Sequence, residues 1–133
     1  MHQTLNKMKN ERGQTMTEFA FILPILIVLM LGIVQFGIAF NNYVSLTDAV
    51  RAGARKAAVS RHESNPAGAC RAQVIASRGN LDQTKLQQNL VCSSSWAPGA
   101  EVRVYADYPY EIKLLDWSVY SGRLKSEMKE RVE

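Results

Sequence analysis

A single carboxylate, that of Glu18, stands at the start of a long apolar run in this 133-residue sequence. The run extends from Phe19 to Phe40, 22 residues without a charge, and Gln35 is its one clearly polar side chain. A carboxylate at the edge of an apolar helix is costly unless a cation pairs with it. Glu18 therefore has two interpretations: a charge that needs a cationic partner, or a solvated N-terminal carboxylate in the headgroup region of a membrane.

Two cysteines, Cys70 and Cys92, lie beyond this run and are suited to covalent chemistry. An even count in a small anchored domain predicts a disulfide formed in an oxidising compartment, although two unrelated buried thiols are an alternative. Closing a loop of that size stabilises a fold by roughly 3 kcal/mol in the chain-entropy model. We predict no metal site, because His62 is isolated and His2 precedes the apolar run.

The sequence contains no constellation that predicts catalysis. It has no glycine-rich phosphate loop and no triad, and its two histidines offer no well-placed general base. The serine run 93–95 is interpreted as part of a flexible linker over 93–99. A net charge of +4, without aromatic residues interleaved among the basic ones, does not indicate nucleic-acid binding. We therefore expect no enzymatic activity, no cofactor and no nucleic-acid partner.

The apolar run predicts a transmembrane helix over 19–40. Such a helix is about 33 Å long, enough to cross a hydrocarbon core of about 30 Å. Pro24 removes a backbone hydrogen bond and is expected to kink the helix or to separate its first turns. A cleaved secretory signal fits less well, because its apolar region is shorter and ends at a small-x-small site, whereas here the polar residues 41–42 follow.

The helix is predicted to continue beyond the membrane and to cover 14–60, about 70 Å in all. Apolar and small residues recur there at three- and four-residue spacings: Tyr43, Leu46, Val50, Gly53, Ala54 and Ala57. Arg51 and Arg55 share another face, with Asp48 one turn before Arg51. This pattern is typical of a solvated helix face; the alternative is a cationic face for anionic headgroups or a partner subunit.

Orientation is indicated by two features together. The leader, residues 1–13, carries Lys7, Lys9 and Arg12, which favours a cytoplasmic N-terminus. The far side of the apolar run is also basic, so charge alone does not decide. The cysteine pair favours an extracytoplasmic position for residues 61–133, which are predicted to form a single small domain.

The first part of that domain is predicted to be helical. A loop over 61–69 ends the long helix, a short helix covers 69–78, and Asp82 caps a second short helix. A Cys70–Cys92 bridge is expected to join these two short helices.

The clearest strand is 101–108, in which Val102, Val104 and Ala106 alternate toward the core. Pro109 is expected to end it, and Ser121-Gly122 to form a turn. The intervening segment 112–120 is interpreted as a strand or as packed irregular structure.

Several of these features together resemble a known family. A basic leader ending in Gly13, followed by Glu18-Phe19 and an apolar helix, resembles the prepilin-peptidase signal of type IV pilins. More closely, 12–20, Leu23-Pro24, 32–37 and the alanine-rich 47–58 with its paired arginines resemble the TadE-like pseudopilins of the Tad (tight adherence, Flp-type) pilus. The sequence departs from the family pattern at Gln35 and Ala52, where acidic residues are frequent.

The resemblance implies cleavage between Gly13 and Gln14 by a prepilin peptidase, which makes Glu18 the fifth mature residue. Glu18 and Phe19 then mark the assembly segment, and the new amine, of the same or a neighbouring subunit, pairs with the Glu18 carboxylate in the first helical turn. The implied partners are other pilins or pseudopilins and pilus assembly proteins of the inner membrane, and the mature protein sits there or in the pilus.

The end of the chain also fits this family, in Tyr108-Pro109 and 131–133. Residues 124, 128 and 132 have helical spacing, but the resemblance favours a final strand that pairs with 101–108. We thus predict a pilin-like α+β fold: a long transmembrane and amphipathic helix, then a small disulfide-pinned domain with a short antiparallel sheet. The expected function is that of a minor pseudopilin; the alternative is an uncleaved, single-pass anchored adhesin, chaperone or sensor.

Overall fold

The computed structural model describes the backbone of residues 2–114 and 116–133 and the side chains of 13–114 and 116–133. Six elements follow one another in this part of the chain: α1 (His2–Ala58), α2 (Pro66–Ala76), α3 (Gln83–Gln87), β1 (Val91–Ser93), β2 (Glu101–Leu114) and β3 (Trp117–Arg131). A long N-terminal apolar helix thus precedes a small domain with a three-stranded antiparallel sheet and a disulfide, which confirms the predicted α+β class.

The chain divides into two compact units, Met1–Phe36 and Gly37–Glu133. Helix α1 is continuous across Pro24, so the predicted separation of its first turns is wrong. The proline removes one backbone hydrogen bond, and the bonds before and after it maintain the helix. The described part of α1, Gly13–Ala58, includes an 18-residue window of mean hydropathy 2.7, which is long and apolar enough to cross a membrane.

In the second unit, α1 carries one side of the hydrophobic core. Leu46, Val50, Ala54 and Ala57 are fully buried, as their spacing predicted, whereas Tyr43 is exposed. A Cβ placed on Gly53 would overlap the side chain of Val74 in α2, so close contact between α1 and α2 requires a glycine at this position.

Helix α2 begins earlier than predicted, at Pro66 rather than at Ala69. The reason is local: the Asn65 side chain accepts a hydrogen bond from the Gly68 N–H at 2.9 Å, and Pro66 occupies the first helical position, where its missing N–H costs nothing. Helix α3 is capped by Asp82 as predicted, with the carboxylate accepting from the N–H groups of Thr84 (2.8 Å) and Lys85 (3.2 Å).

Cys70 and Cys92 form the predicted disulfide, across a sequence separation of 22 residues. Its expected position is wrong in one respect. Cys70 lies in α2, but Cys92 lies in the edge strand β1, so the bridge joins α2 to the sheet and not to α3. Both cysteines are buried in the core.

The sheet has the order β1-β2-β3, and both pairs are antiparallel. Val102, Val104 and Ala106 are fully buried, as predicted, and the tail of the chain is the predicted strand paired with 101–108. Strand β3 is formed by this pairing, despite the helical spacing of its apolar residues.

Two predicted breaks in this sheet are wrong. Strand β2 continues through Pro109 to Leu114, since β1 pairs only with 103–105 and leaves β2 an edge where a missing N–H is tolerated. Ser121-Gly122 is not a turn but part of β3. A Cβ on Gly122 would come within 2.9 Å of the Tyr110 ring on the neighbouring strand, so the glycine allows a close cross-strand contact.

Candidate processing and assembly segment

The residues predicted for processing and assembly, Gly13 to Phe19, form two turns of α1 within the first unit. The Gln14 side-chain amide donates a hydrogen bond to the Glu18 carboxylate at 3.2 Å. The Thr17 hydroxyl donates to the Gly13 carbonyl oxygen at 2.9 Å. Both bonds span four residues, so Gln14 and Glu18 lie on the same face of the helix, one turn apart.

This spacing determines what the Glu18 carboxylate can bind. Positions four apart on a helix have Cβ atoms about 5–6 Å from each other. A cation at the backbone nitrogen of Gln14 would therefore be close enough to pair with Glu18, from the same helix or from a helix packed beside it. In the described helix it is the Gln14 side-chain amide that donates to the carboxylate.

Gly13 is not required by packing in the described structure. A Cβ at this position would have no heavy atom within 4 Å. A glycine inside a helix is less stable than alanine by about 1 kcal/mol, because the unfolded backbone has more freedom to lose. Neither packing nor helix stability therefore accounts for the glycine at position 13.

The apolar side chains that follow are exposed around the helix. Phe19 is 56% exposed, and the same holds along the run: Phe21, Ile25, Leu29, Ile33 and Phe36 are all exposed. This surface is available to lipid chains or to apolar helices of neighbouring subunits. It has the character of a membrane-spanning or helix-packing surface rather than of a domain core.

Arg51 and Arg55 lie in the second unit, on the side of α1 away from the buried stripe. Arg51 forms a loose, exposed ion pair with Asp48, at 3.9 Å. Arg55 is exposed and has no ion pair among the described side chains. Among the described side chains, the structure does not bring either arginine into a site with other predicted residues.

Comparison with known proteins places this geometry in a family context. One family model, described as TadE-like protein, matches residues 13–55. This segment is similar to the TadE-like family. The match begins at Gly13 and includes Glu18, Phe19, Arg51 and Arg55, and it confirms the resemblance predicted from the sequence. Comparison with curated proteins and with solved structures found no match to the chain.

The match covers residues 13–55 and ends before the disulfide and the sheet. Among the described residues there is no group of three or more His, Cys, Asp or Glu side chains placed to hold a metal ion.

Two groups of the second unit with shifted pKa values, Asp82 and Arg123, have structural partners. A backbone hydrogen bond from Lys85 lowers the pKa of Asp82, the cap of α3. The hydrogen bond to Asp107 raises the pKa of Arg123, and this ion pair joins β2 to β3. The Asp82 carboxylate thus caps a helix, and the Asp107–Arg123 pair links two strands.

One surface was missed at the level of sequence. Residues 112–114 and 117–120 lie in β2 and β3, which confirms the strand alternative, but Trp117 is 81% exposed and Val119 and Tyr120 are also exposed rather than packed. The signal that could have identified this exposed surface was the pattern of one long, continuous hairpin. That signal was hidden by Pro109 and Gly122, which normally interrupt strands.

Proposed function

We propose that this protein is a minor pseudopilin of a Tad-type pilus, anchored by α1, cleaved after Gly13 and active in the initiation or support of pilus assembly. The observation that carries the proposal is the TadE-like match, which begins at Gly13 and includes a carboxylate one helical turn beyond Gln14. The protein acts as a subunit, and it is a substrate of a prepilin peptidase rather than an enzyme.

The mechanism follows from the electrostatics of the processing segment. Cleavage after Gly13 removes the leader and creates a free amine on Gln14. This amine carries a positive charge one turn from the Glu18 carboxylate, and the first turn of a helix favours a negative side chain. Pairing neutralises the carboxylate and lowers the cost of moving it into an apolar environment. Apolar helices of several subunits then pack side by side.

The same proposal gives the protein its place in the cell. The N-terminus faces the cytoplasm, where the peptidase and the inner-membrane assembly proteins act on it. Residues 61–133 lie on the other side, in an oxidising compartment, which agrees with the Cys70–Cys92 disulfide. Arg51 and Arg55 form an exposed cationic face on α1 that is available to anionic headgroups or to another pilin.

Replacing Gly13 with alanine should prevent removal of the leader. When wild-type protein is co-expressed with a prepilin peptidase, intact mass should show a chain that begins at Gln14, whereas Gly13→Ala should retain Met1. Alanine adds a side chain next to the scissile bond and strengthens the helix there by about 1 kcal/mol, so the peptide bond is less accessible.

Gly32→Ala is the matched control, because it makes the same change in α1 at a position that also has no neighbouring atoms within 4 Å. It should be cleaved like wild type. A wild-type protein that keeps Met1 while pili form normally would contradict the proposed function and would favour the uncleaved, single-pass anchored protein instead.

Replacing Glu18 with glutamine should leave cleavage of the leader unchanged and weaken assembly with other pilins. The Gln14 amine would still be released, but the neutral side chain could no longer pair with it, so less of the mature protein should co-purify with other pilins. Glu130→Gln removes an exposed carboxylate from β3 and should leave co-purification unchanged. Equal recovery of Glu18→Gln and wild type with the other pilins would show that the charge pair is not needed.

A further inference from the structure

Strand β3 forms one edge of the sheet. The strand order is β1-β2-β3, so β2 bonds to one side of β3, and no strand lies on its other side in the part of the chain that the structure describes. In an antiparallel pair, about every second residue of an edge strand directs its N–H and C=O groups away from its partner. Trp117–Arg131 therefore presents a row of backbone donors and acceptors about 46 Å long.

The opposite edge of the sheet is protected from further strand pairing, whereas the edge at β3 is open. Natural sheets limit such pairing with short strands, prolines and charged side chains. Strand β1 is only three residues long. Where β2 continues beyond β1, it contains Pro109, which has no N–H group to donate. Strand β3 is 15 residues long and contains no proline, so only its charged side chains restrict what can pair with it.

Those charged side chains are mainly basic on one face of β3. Alternate residues of a strand lie on the same side of the sheet. Five exposed residues at alternate positions share the face opposite the core, and four of them are basic: Arg123, Lys125, Glu127, Lys129 and Arg131. The core side of the same stretch carries Leu124, Ser126 and Met128.

Strand β2 neutralises only part of this charge, because its carboxylates bind diagonally across the strand pair. Asp107 lies opposite Lys125 in the register, yet its carboxylate binds Arg123, two residues away on β3, at 2.5 Å. Lys125 consequently has no ion pair among the described side chains, although an acidic residue lies directly opposite it.

The same displacement occurs near the end of β3. Glu101 lies opposite Arg131, but its carboxylate binds Lys129 at 3.4 Å. Glu127 is already bound to Arg103 of β2, at 3.3 Å. Arg131 therefore also lacks an ion pair among the side chains that the structure describes, and it lies about 20 Å along the strand from the first such cation.

A second copy of β3 does not supply the missing carboxylates. In a two-fold antiparallel pairing of two β3 strands, residues at equal distances from the axis lie opposite each other. Any axis between Arg123 and Arg131 places at least one cation directly opposite another, which is destabilising. An axis nearer Trp117 leaves Lys125 and Arg131 with no carboxylate of the second strand opposite them. The charges of β3 therefore favour a different strand as its partner.

We propose that the outer edge of β3 binds an extended acidic segment of another protein, which adds a fourth strand to the sheet. Backbone hydrogen bonds hold the segment, and its carboxylates at alternate positions pair with Lys125 and Arg131. Strand β2 uses the same chemistry on the inner side of β3, where its carboxylates bind neighbouring cations. The proposal concerns the second unit alone, so it does not depend on cleavage after Gly13 and can fail without affecting the proposed function.

The first measurement is the binding of a fluorescein-labelled peptide in which glutamate and threonine alternate. The full chain in non-ionic detergent micelles should raise the fluorescence anisotropy of this peptide, and a peptide with lysine in place of glutamate should not bind. Lys125→Gln and Arg131→Gln should each raise the Kd of the acidic peptide by roughly twofold to fivefold, the range for exposed ion pairs. The two effects should multiply, because the two side chains are far apart.

Lys85→Gln and Arg71→Gln are the matched controls. They remove exposed cations of the same two types from α3 and α2, and so change the net charge equally. Both variants should bind the acidic peptide with the Kd of the wild-type protein.

Hydrogen exchange tests whether the peptide pairs with the backbone of β3. About every second amide of Trp117–Arg131 should exchange more slowly when the acidic peptide is bound, since the alternate amides already bond to β2. The amides of α2 should exchange as before.

Several results would overturn the proposal. Failure of the acidic peptide to bind, or equal binding of the acidic and basic peptides, would mean that Lys125 and Arg131 do not select such a partner. Binding without slower exchange in β3 would mean attraction by charge alone, with no added strand. If the outer amides of β3 are already protected without peptide, and the protein sediments as a dimer, a second copy occupies this edge.

Discussion

Replacing both Cys70 and Cys92 with alanine should lower the free energy of unfolding of the second unit by about 3 kcal/mol. The bond closes a loop across 22 residues and so removes many conformations from the unfolded chain. A domain of this size has little stability in reserve, so such a loss is a large part of the total. The measurement is urea unfolding of the full chain in detergent micelles, followed by the fluorescence of Trp96.

Several controls separate the cross-link from the side chains. Reduction of the wild-type protein should lower the midpoint of unfolding about as much as the double substitution does. Each single alanine variant should also lose nearly the whole effect, because either one removes the bond. The slope of free energy against urea should increase in every case, since the unfolded chain becomes less compact. If reduced and oxidised wild type unfold at the same urea concentration, the disulfide does not stabilise the fold.

The disulfide also shows why the sequence predicted some features and not others. The pairing of Cys70 with Cys92 followed from an even count in a small domain. The strand that contains Cys92 could not be predicted in this way, because β1 is only three residues long and is too short to show an alternating pattern. Such a strand forms through its register with β2, in which Cys92 lies opposite Val104. The local sequence pattern predicts long helices and strands, whereas a short strand forms through its pairing with a neighbouring strand.

The hairpin illustrates the same limit in a longer element. Alternation in 101–108 predicted the inner half of β2, because one face of it is buried. The outer half is not packed on the core, so no buried face produced a clear alternation there. Pro109 and Gly122 then had the appearance of breaks, although an edge position tolerates the proline and the Tyr110 ring needs the space beside the glycine.

The candidate site could be predicted from the sequence because the residues that indicate it are close together in the chain. Gly13, Glu18 and the apolar run lie within one continuous stretch, and helical geometry alone places Gln14 and Glu18 on one face. The structure adds the hydrogen bond between them and the open space around Gly13. In the proposed function the cation that pairs with Glu18 is created by cleavage, so it belongs to the processed protein.

Replacing Leu46 with alanine should destabilise the second unit by about 2–5 kcal/mol. Leu46 is 0% exposed and belongs to the core that α1 shares with the other elements of the second unit, so the truncated side chain leaves a cavity in that core. Val44→Ala is the matched control: it lies two residues earlier on the same helix, is 42% exposed, and should change stability by no more than about 0.5 kcal/mol.

The comparison of these two variants tests whether α1 is part of the domain or only its tether. Both substitutions are made in helix beyond the apolar run, so neither alters the membrane anchor. If the free energy of unfolding, again measured with Trp96, falls for Leu46→Ala and not for Val44→Ala, the second half of α1 and the sheet unfold as one unit. An equal, small effect of both would mean that the sheet is stable without the helix. The proposed pseudopilin role requires the first result, because a domain that could separate from α1 would not be positioned by the packing of α1 helices in an assembly.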